Sequence, residues 1–202
     1  MDSTAGIAIA IQDAARDLGL PVPDREQANH VIGLGLQDAL SAAVPALKKE
    51  HYAEFVEAYR RHFRARQDEM LLFAGVREML GELKGRGHRL AVATGKSRRG
   101  LDQQLVLTGL GALFAATRCA DETNPKPHPA MLLELMRELA LEKHELLMIG
   151  DTSHDLGMAR SAGVDAVAVG YGAHPLESLN AWQPRASVAS VGELRQWLTK
   201  NA

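Results

Sequence analysis

From Gly75 onward the chain alternates short apolar runs with helical stretches, and this alternation constrains the fold more than any other feature. A strand, a helix and then another apolar strand, repeated, is the pattern of a parallel sheet with helices on its faces. The spacing predicts a helix over Val76 to Lys84 and a strand over His88 to Thr94 with the apolar centre Leu90-Ala91-Val92-Ala93. A helix over Arg98 to Leu107 leads to a short extended piece near Thr117 to Cys119. A helix over Pro129 to Ala140 then leads to a strand over Glu145 to Ile149. A helix near Leu156 to Ser161, a strand over Val164 to Val169 and a last helix over Val191 to Thr199 complete the series. The expected class is α/β, with a doubly wound parallel sheet.

The first third of the chain reads differently. From Thr4 to about Leu72 the apolar residues fall at helical spacing, best seen in Tyr52, Phe55, Val56, Tyr59 and Phe63, which form one face of a helix. Asp24 followed by Gln27 has the form of a capping box, while Gly33, Gly35 and Pro45 punctuate the helices. A chain of 202 residues supports one well-buried core and a smaller second unit. The boundaries expected are therefore a helical unit over 1–72 and an α/β core over 73–202. A net charge of −2 gives no electrostatic case for nucleic-acid or membrane binding. The single cysteine, Cys119, excludes an internal disulfide framework and fits a reducing compartment; it reads as a small buried apolar residue. The opening Met1-Asp2-Ser3-Thr4 has neither a basic stretch nor a long apolar run, so no signal peptide or spanning helix is expected and a cytoplasmic location is the default.

Ligands of such sheets bind beyond the carboxyl ends of the strands, so the residues ending each strand carry the most information. One strand ends in Thr94-Gly95-Lys96-Ser97 and runs into a helix, which offers a hydroxyl and backbone N–H groups to an anion. Thr94 and Ser97 also suit plain helix capping. Another ends in Gly150-Asp151-Thr152-Ser153-His154-Asp155, with two carboxylates four residues apart. Hard oxygens there suit magnesium, and acidic residues in a first helical turn also complement the helix dipole. Between these lies Asn124-Pro125-Lys126-Pro127-His128-Pro129, in which prolines hold Lys126 on a loop, placed to neutralise a phosphate or simply to face solvent. Gly170-Tyr171-Gly172 follows the next strand as a tight loop.

Taken together and in this order, the three segments resemble the second, third and fourth motifs of the haloacid dehalogenase superfamily, in its phosphoglycolate-phosphatase-like branch. The resemblance covers nearly the whole chain. It implies a Rossmann-like core with an α-helical cap over 1–72. It implies that Thr94, the Gly95 N–H and Lys126 bind phosphate, with Thr94 and Lys126 acting in catalysis, and that Asp151 and Asp155 serve a Mg2+ cofactor, Asp155 directly or through water. The partner implied is a small phosphorylated metabolite.

The family's first motif, a strand ending in Asp-x-Asp-Gly-Thr, has no counterpart here, and no Asp-x-Asp-Gly pattern occurs anywhere in the sequence. In the family the first aspartate of that motif attacks phosphorus to form an aspartyl phosphate and the second is the general acid and base. The chain as written is therefore expected to lack both turnover and the central first strand of its sheet, between the strands ending at Thr94 and Gly150. The leading expectation is a magnesium-dependent phosphomonoester hydrolase at the level of the family, phosphoglycolate being the substrate suggested. A catalytically dead phosphate-binding protein and a sugar-phosphate mutase are the alternatives. Dehalogenases of this superfamily need no magnesium, and the intact Gly150-Asp151 motif argues against them.

Overall fold

The computed structural model of the protein describes residues 1–66 and 71–202, in two compact units. One comprises Met1–Ile32 and Leu36–Leu71, the other Gly33–Gly35 and Leu72–Ala202. The part of the predicted helical stretch that falls on 67–70 lies outside the described residues.

The first unit is helical. Helices α1 (Thr4–Asp17), α2 (Arg25–His30), α3 (Leu36–Ala43) and α4 (Tyr52–Ala65) follow one another. α1 approaches α4 closely because the α1 face is built from alanine: Ala8, Ala14 and Ala15 are fully buried, as is Phe55 of α4. Charges seal the end of this pair, with Arg66 Nη2 2.8 Å from Asp13 Oδ2 and His62 Nε2 2.7 Å from Asp17 Oδ2. The capping box forms at the start of α2: the Gln27 N–H donates to Asp24 Oδ1 at 2.8 Å and the Asp24 N–H donates back to Gln27 Oε1 at 3.1 Å.

The second unit is α/β. Its elements are α5 (Val76–Gly85), β1 (Leu90–Thr94), α6 (Arg98–Thr108), β2 (Phe114–Cys119), α7 (Ala130–Leu139), β3 (Leu147–Gly150), α8 (Ser153–Ala162), β4 (Asp165–Val169), α9 (Leu176–Asn180), β5 (Ala186–Val188) and α10 (Val191–Asn201). All strand pairs are parallel. Side chains alternate between two layers with the period of two that a strand dictates. Ala91, Ala93, Met148, Ala166 and Ala168 face one apolar cluster, built with Met131, Leu135 and Met158 of α7 and α8. Leu90, Leu147, Val167 and Val169 face another, built with Met79 and Leu83 of α5 and Leu194 and Leu198 of α10. The extended piece near Thr117 to Cys119 is a full six-residue strand. β5 and α9, three and five residues long, went unpredicted because neither is long enough to show a period.

The strands form two sheets, β1-β2 and β3-β4-β5. β1 and β3 both lie between the same two helical layers, yet no strand among the described residues bridges them. Each therefore presents one unpaired edge. The consequence for burial is visible in Ile149 of β3, which is 37% exposed, whereas Val167 of the doubly paired β4 is fully buried. Among the described residues, no helix is long and apolar enough to cross a membrane.

Candidate active site

The site is assembled from the carboxyl ends of β1 and β3 and the loops that follow β2 and β4. At the end of β1 the Thr94 hydroxyl accepts the Lys96 N–H at 3.2 Å, which tightens the turn. Ser97 caps α6 by accepting the Gly100 N–H at 3.3 Å, so for Ser97 the capping role is the one observed. Gly95 lies beneath the Gly33–Gly35 segment. A Cβ at Gly95 would sit 2.5 Å from the Gly33 carbonyl oxygen and 2.4 Å from that of Leu34, both backbone atoms with nowhere to yield. The same segment reaches the other two motifs: a Cβ at Gly33 would lie 3.0 Å from Thr152 Oγ1, and one at Gly35 would lie 3.2 Å from Pro125 Cβ. Burial pulls the Lys96 ammonium below the ordinary lysine value.

Lys126 is drawn inward from its loop and is only 6% exposed. Its ammonium donates to Asp155 Oδ1 at 2.5 Å, and Asp155 is itself 2% exposed. The other carboxylate oxygen of Asp155 gathers the start of α8: Oδ2 accepts the Asp151 N–H at 3.2 Å, the Thr152 N–H at 3.1 Å and the Thr152 hydroxyl at 2.8 Å. Thr152 is the N-cap, and its hydroxyl oxygen accepts the Asp155 N–H at 3.2 Å in return. Burial by itself would raise the Asp155 carboxyl, but the Lys126 charge and the Thr152 bonds outweigh it and hold the group below its ordinary value. Gly150 fits this knot because a Cβ there would meet the Cβ of Asp155 at 2.3 Å.

Asp151 has the opposite character. Burial first, and the negative charge of Asp155 second, raise its carboxyl above the ordinary value. The loop after β4 wraps it: the Ala173 N–H donates to Asp151 Oδ2 at 2.9 Å and the His174 N–H donates to the Asp151 carbonyl at 3.1 Å. Gly172 is required by this approach, since a Cβ there would fall 2.0 Å from Asp151 Oδ2. Gly170-Tyr171-Gly172, read from sequence as a tight loop, is thus the strap over a carboxylate. Tyr171 packs edge-on against Phe73 at 5.0 Å between ring centroids, and burial pushes its phenol up to about 12.

The chemistry of these donors separates the two aspartates as partners for a magnesium ion. Asp151 fits: it is a hard-oxygen ligand whose burial beside a second carboxylate leaves negative charge for a cation to offset. Asp155 already shares its two oxygens among four donors. Among the described residues no cluster of three or more His, Cys, Asp or Glu side chains is arranged to hold a metal. Sequence reasoning missed Thr152 as the hinge of the Asp155 network, and it missed Ala173 and His174, which lie on a loop without periodicity. Cys119 is buried, as read from sequence, and its thiol is pushed up to about 12 mainly by burial, which makes it unreactive.

A parallel α/β core with a buried lysine and paired aspartates at its strand ends is the scaffold of a phosphate-handling hydrolase. The chain belongs to the haloacid dehalogenase-like hydrolase family, whose sequence profile matches residues 1–169. It is 38% identical over 200 residues to the probable phosphatase IndB of Dickeya dadantii, covering 96% of this chain and 86% of that one. It is 30% identical to the phosphoglycolate phosphatase of Colwellia psychrerythraea, covering 96% of this chain and 90% of that protein. The fold matches that of a hydrolase from Pseudomonas syringae with a TM-score of 0.88 at 18% identity, over 98% of this chain and 93% of that structure.

Proposed function

We propose that the chain carries the phosphate- and magnesium-binding half of a phosphomonoester hydrolase site that acts on a small phosphorylated metabolite of the phosphoglycolate type. The observation that carries this reading is the buried network of Lys126, Asp155 and Asp151. Two carboxylates and one ammonium held out of water leave net negative charge beside a fixed cation, an arrangement suited to a metal ion and a phosphoryl group together. In this reading Lys126 neutralises phosphoryl charge while staying tied to Asp155. Thr94 and the Gly95 N–H, on the turn into α6, hold phosphoryl oxygens. Asp151 would hold the magnesium ion, with Asp155 a second acidic contributor, direct or through water. When bound, magnesium neutralises and orients the phosphate.

The reading stops short of turnover. No residue of the sequence stands in an Asp-x-Asp-Gly context, and Asp151 and Asp155 are both committed to the network described. The residues present support recognition of a phosphate ester without an aspartyl-phosphate intermediate. The relatives named as phosphatases, and the family as a whole, favour the phosphoglycolate class as ligand over an unrelated anion.

A ligand panel followed by thermal unfolding tests the proposal. With magnesium present, 2-phosphoglycolate at about 100 times its Kd stabilises the fold by about 2.7 kcal/mol, whereas glycolate does not. At the same ligand concentration the shift falls by about half or more in Asp151→Asn, to about 1.4 kcal/mol for a tenfold weaker Kd. Equal shifts with glycolate, or an undiminished shift in Asp151→Asn, contradict the proposal.

A further inference from the structure

His174 is one of the few buried polar side chains among the described residues, 5% exposed, and no part of the site chemistry above uses its ring. The ring nevertheless has a specific task. The Ser153 N–H, at the first turn of α8, points at His174 Nδ1 from 3.0 Å. A backbone N–H can only donate, so Nδ1 is the acceptor and bears no proton. The main chain of the same residue donates to the Asp151 carbonyl at 3.1 Å, and its neighbour Ala173 donates to Asp151 Oδ2 at 2.9 Å. Its ring stands edge-on to that of His154, 5.4 Å between centroids, which fixes its plane. His174 therefore ties the loop after β4 both to Asp151 and to Ser153 beyond it.

We propose that His174 is a positioning residue for Asp151: by accepting the Ser153 N–H it locks the 172–174 loop against the start of α8 and so fixes the direction in which the Asp151 carboxylate points. For the metal this rests on Asp151 being the ligand, as proposed above. Helix N-terminal N–H groups need an acceptor, and a loop imidazole supplies it here in place of a local side chain. Without that bond the loop loses its tie to the start of α8 beside Asp151, and the carboxylate loses a reference that orients it. Partners behind a metal ligand set its geometry in this way, and their loss is felt in metal affinity.

Two variants separate the acceptor from the bulk of the ring. In His174→Asn the amide Oδ1 takes the place of Nδ1 and can still receive the Ser153 N–H; in His174→Leu nothing can. Mn2+ binding followed by electron paramagnetic resonance is expected to weaken by about 10–100-fold in His174→Leu and to stay within about threefold of wild type in His174→Asn. Should His174→Leu not fold, His174→Gln replaces it, because its amide corresponds to Nε2 and lies beyond Ser153. Unchanged Mn2+ affinity in the variant lacking the acceptor, or equal losses in both variants, overturns the proposal. Hydrogen exchange at the Ala173 amide supplies a readout without metal. Exchange roughly tenfold faster in His174→Leu and at the wild-type rate in His174→Asn supports positioning, and equal rates in all three overturn it. If wild-type protein binds no Mn2+, the metal reading of Asp151 fails, and the positioning role is decided by the exchange measurement alone.

Discussion

Lys126→Met is expected to destabilise the chain by about 3–5 kcal/mol, the loss seen when one member of a buried ion pair is removed. Methionine preserves much of the volume of lysine, so packing changes little. What remains is a carboxylate 2% exposed, with its Thr152 bonds but without a counter-charge. For a chain of this size each kcal/mol lowers the melting temperature by about 2–4 °C, which places the expected shift on the order of 10 °C. Urea unfolding at neutral pH measures it directly. The loss also has a definite pH dependence. Asp155 is held below its ordinary value in the folded chain, so the stability it contributes is complete above the unfolded carboxylate value of about 3.9 and is lost as the pH falls through the folded one. The gap between wild type and Lys126→Met is accordingly largest near pH 7 and narrows toward pH 3. Asp151, whose carboxyl is raised, contributes with the opposite sign, and losing the Lys126 charge, which lowers it, raises it further in the variant. The double variant Lys126→Met, Asp155→Leu recovers part of the loss, because an apolar pair leaves no unpaired charge behind.

Hydrolysis of 2-phosphoglycolate or p-nitrophenyl phosphate by the 202-residue chain with magnesium is expected to be indistinguishable from that of Asp151→Asn. Removing the nucleophile of a hydrolase costs about 10⁶ in turnover, with the remainder coming from binding and electrostatics. In this chain Lys126 is directed to Asp155, and no Asp-x-Asp-Gly segment occurs in the sequence to place an attacking carboxylate beside it. Asp155 cannot take over as nucleophile while its oxygens hold the start of α8 and the Lys126 ammonium. Magnesium-dependent hydrolysis that Asp151→Asn abolishes would show that another residue attacks phosphorus.

Most of the fold could be read from the chain, and the parts that could not have physical causes. β1, β3 and β4 announce themselves as apolar runs that end in threonine or glycine or just before a glycine, because buried parallel strands need apolar side chains on both faces. β5 is three residues long, too short to show any period. The split of the sheet between β1 and β3 was legible only through the resemblance, which assigned a strand to that place; hydropathy alone does not count missing strands. The site divides in the same way. Asp151 follows a strand directly and was found by position. The bond from Lys126 to Asp155 joins residues 29 apart in sequence, and only the crossing of the β2 loop over α8 brings them together. Asp155, four residues after Asp151, was read from spacing as a second acidic contributor, direct or through water; its bonds to the helix start and to Lys126 could not be read that way. Gly172 was read as a turn residue, and the reason for it is the Asp151 carboxylate at its back. His174 had no local signal, since its partner is a backbone N–H 21 residues away.

The central claim is that Thr94, Gly95, Lys126 and Asp151 form one site for phosphate and magnesium. Titration of inorganic phosphate into the chain, with and without magnesium and in parallel with Asp151→Asn, tests it most directly. The account predicts saturable phosphate binding that magnesium strengthens at least about tenfold, a coupling of about 1.4 kcal/mol, and a loss of that strengthening in Asp151→Asn. Phosphate binding that is indifferent to magnesium, or strengthened equally in Asp151→Asn, would contradict it.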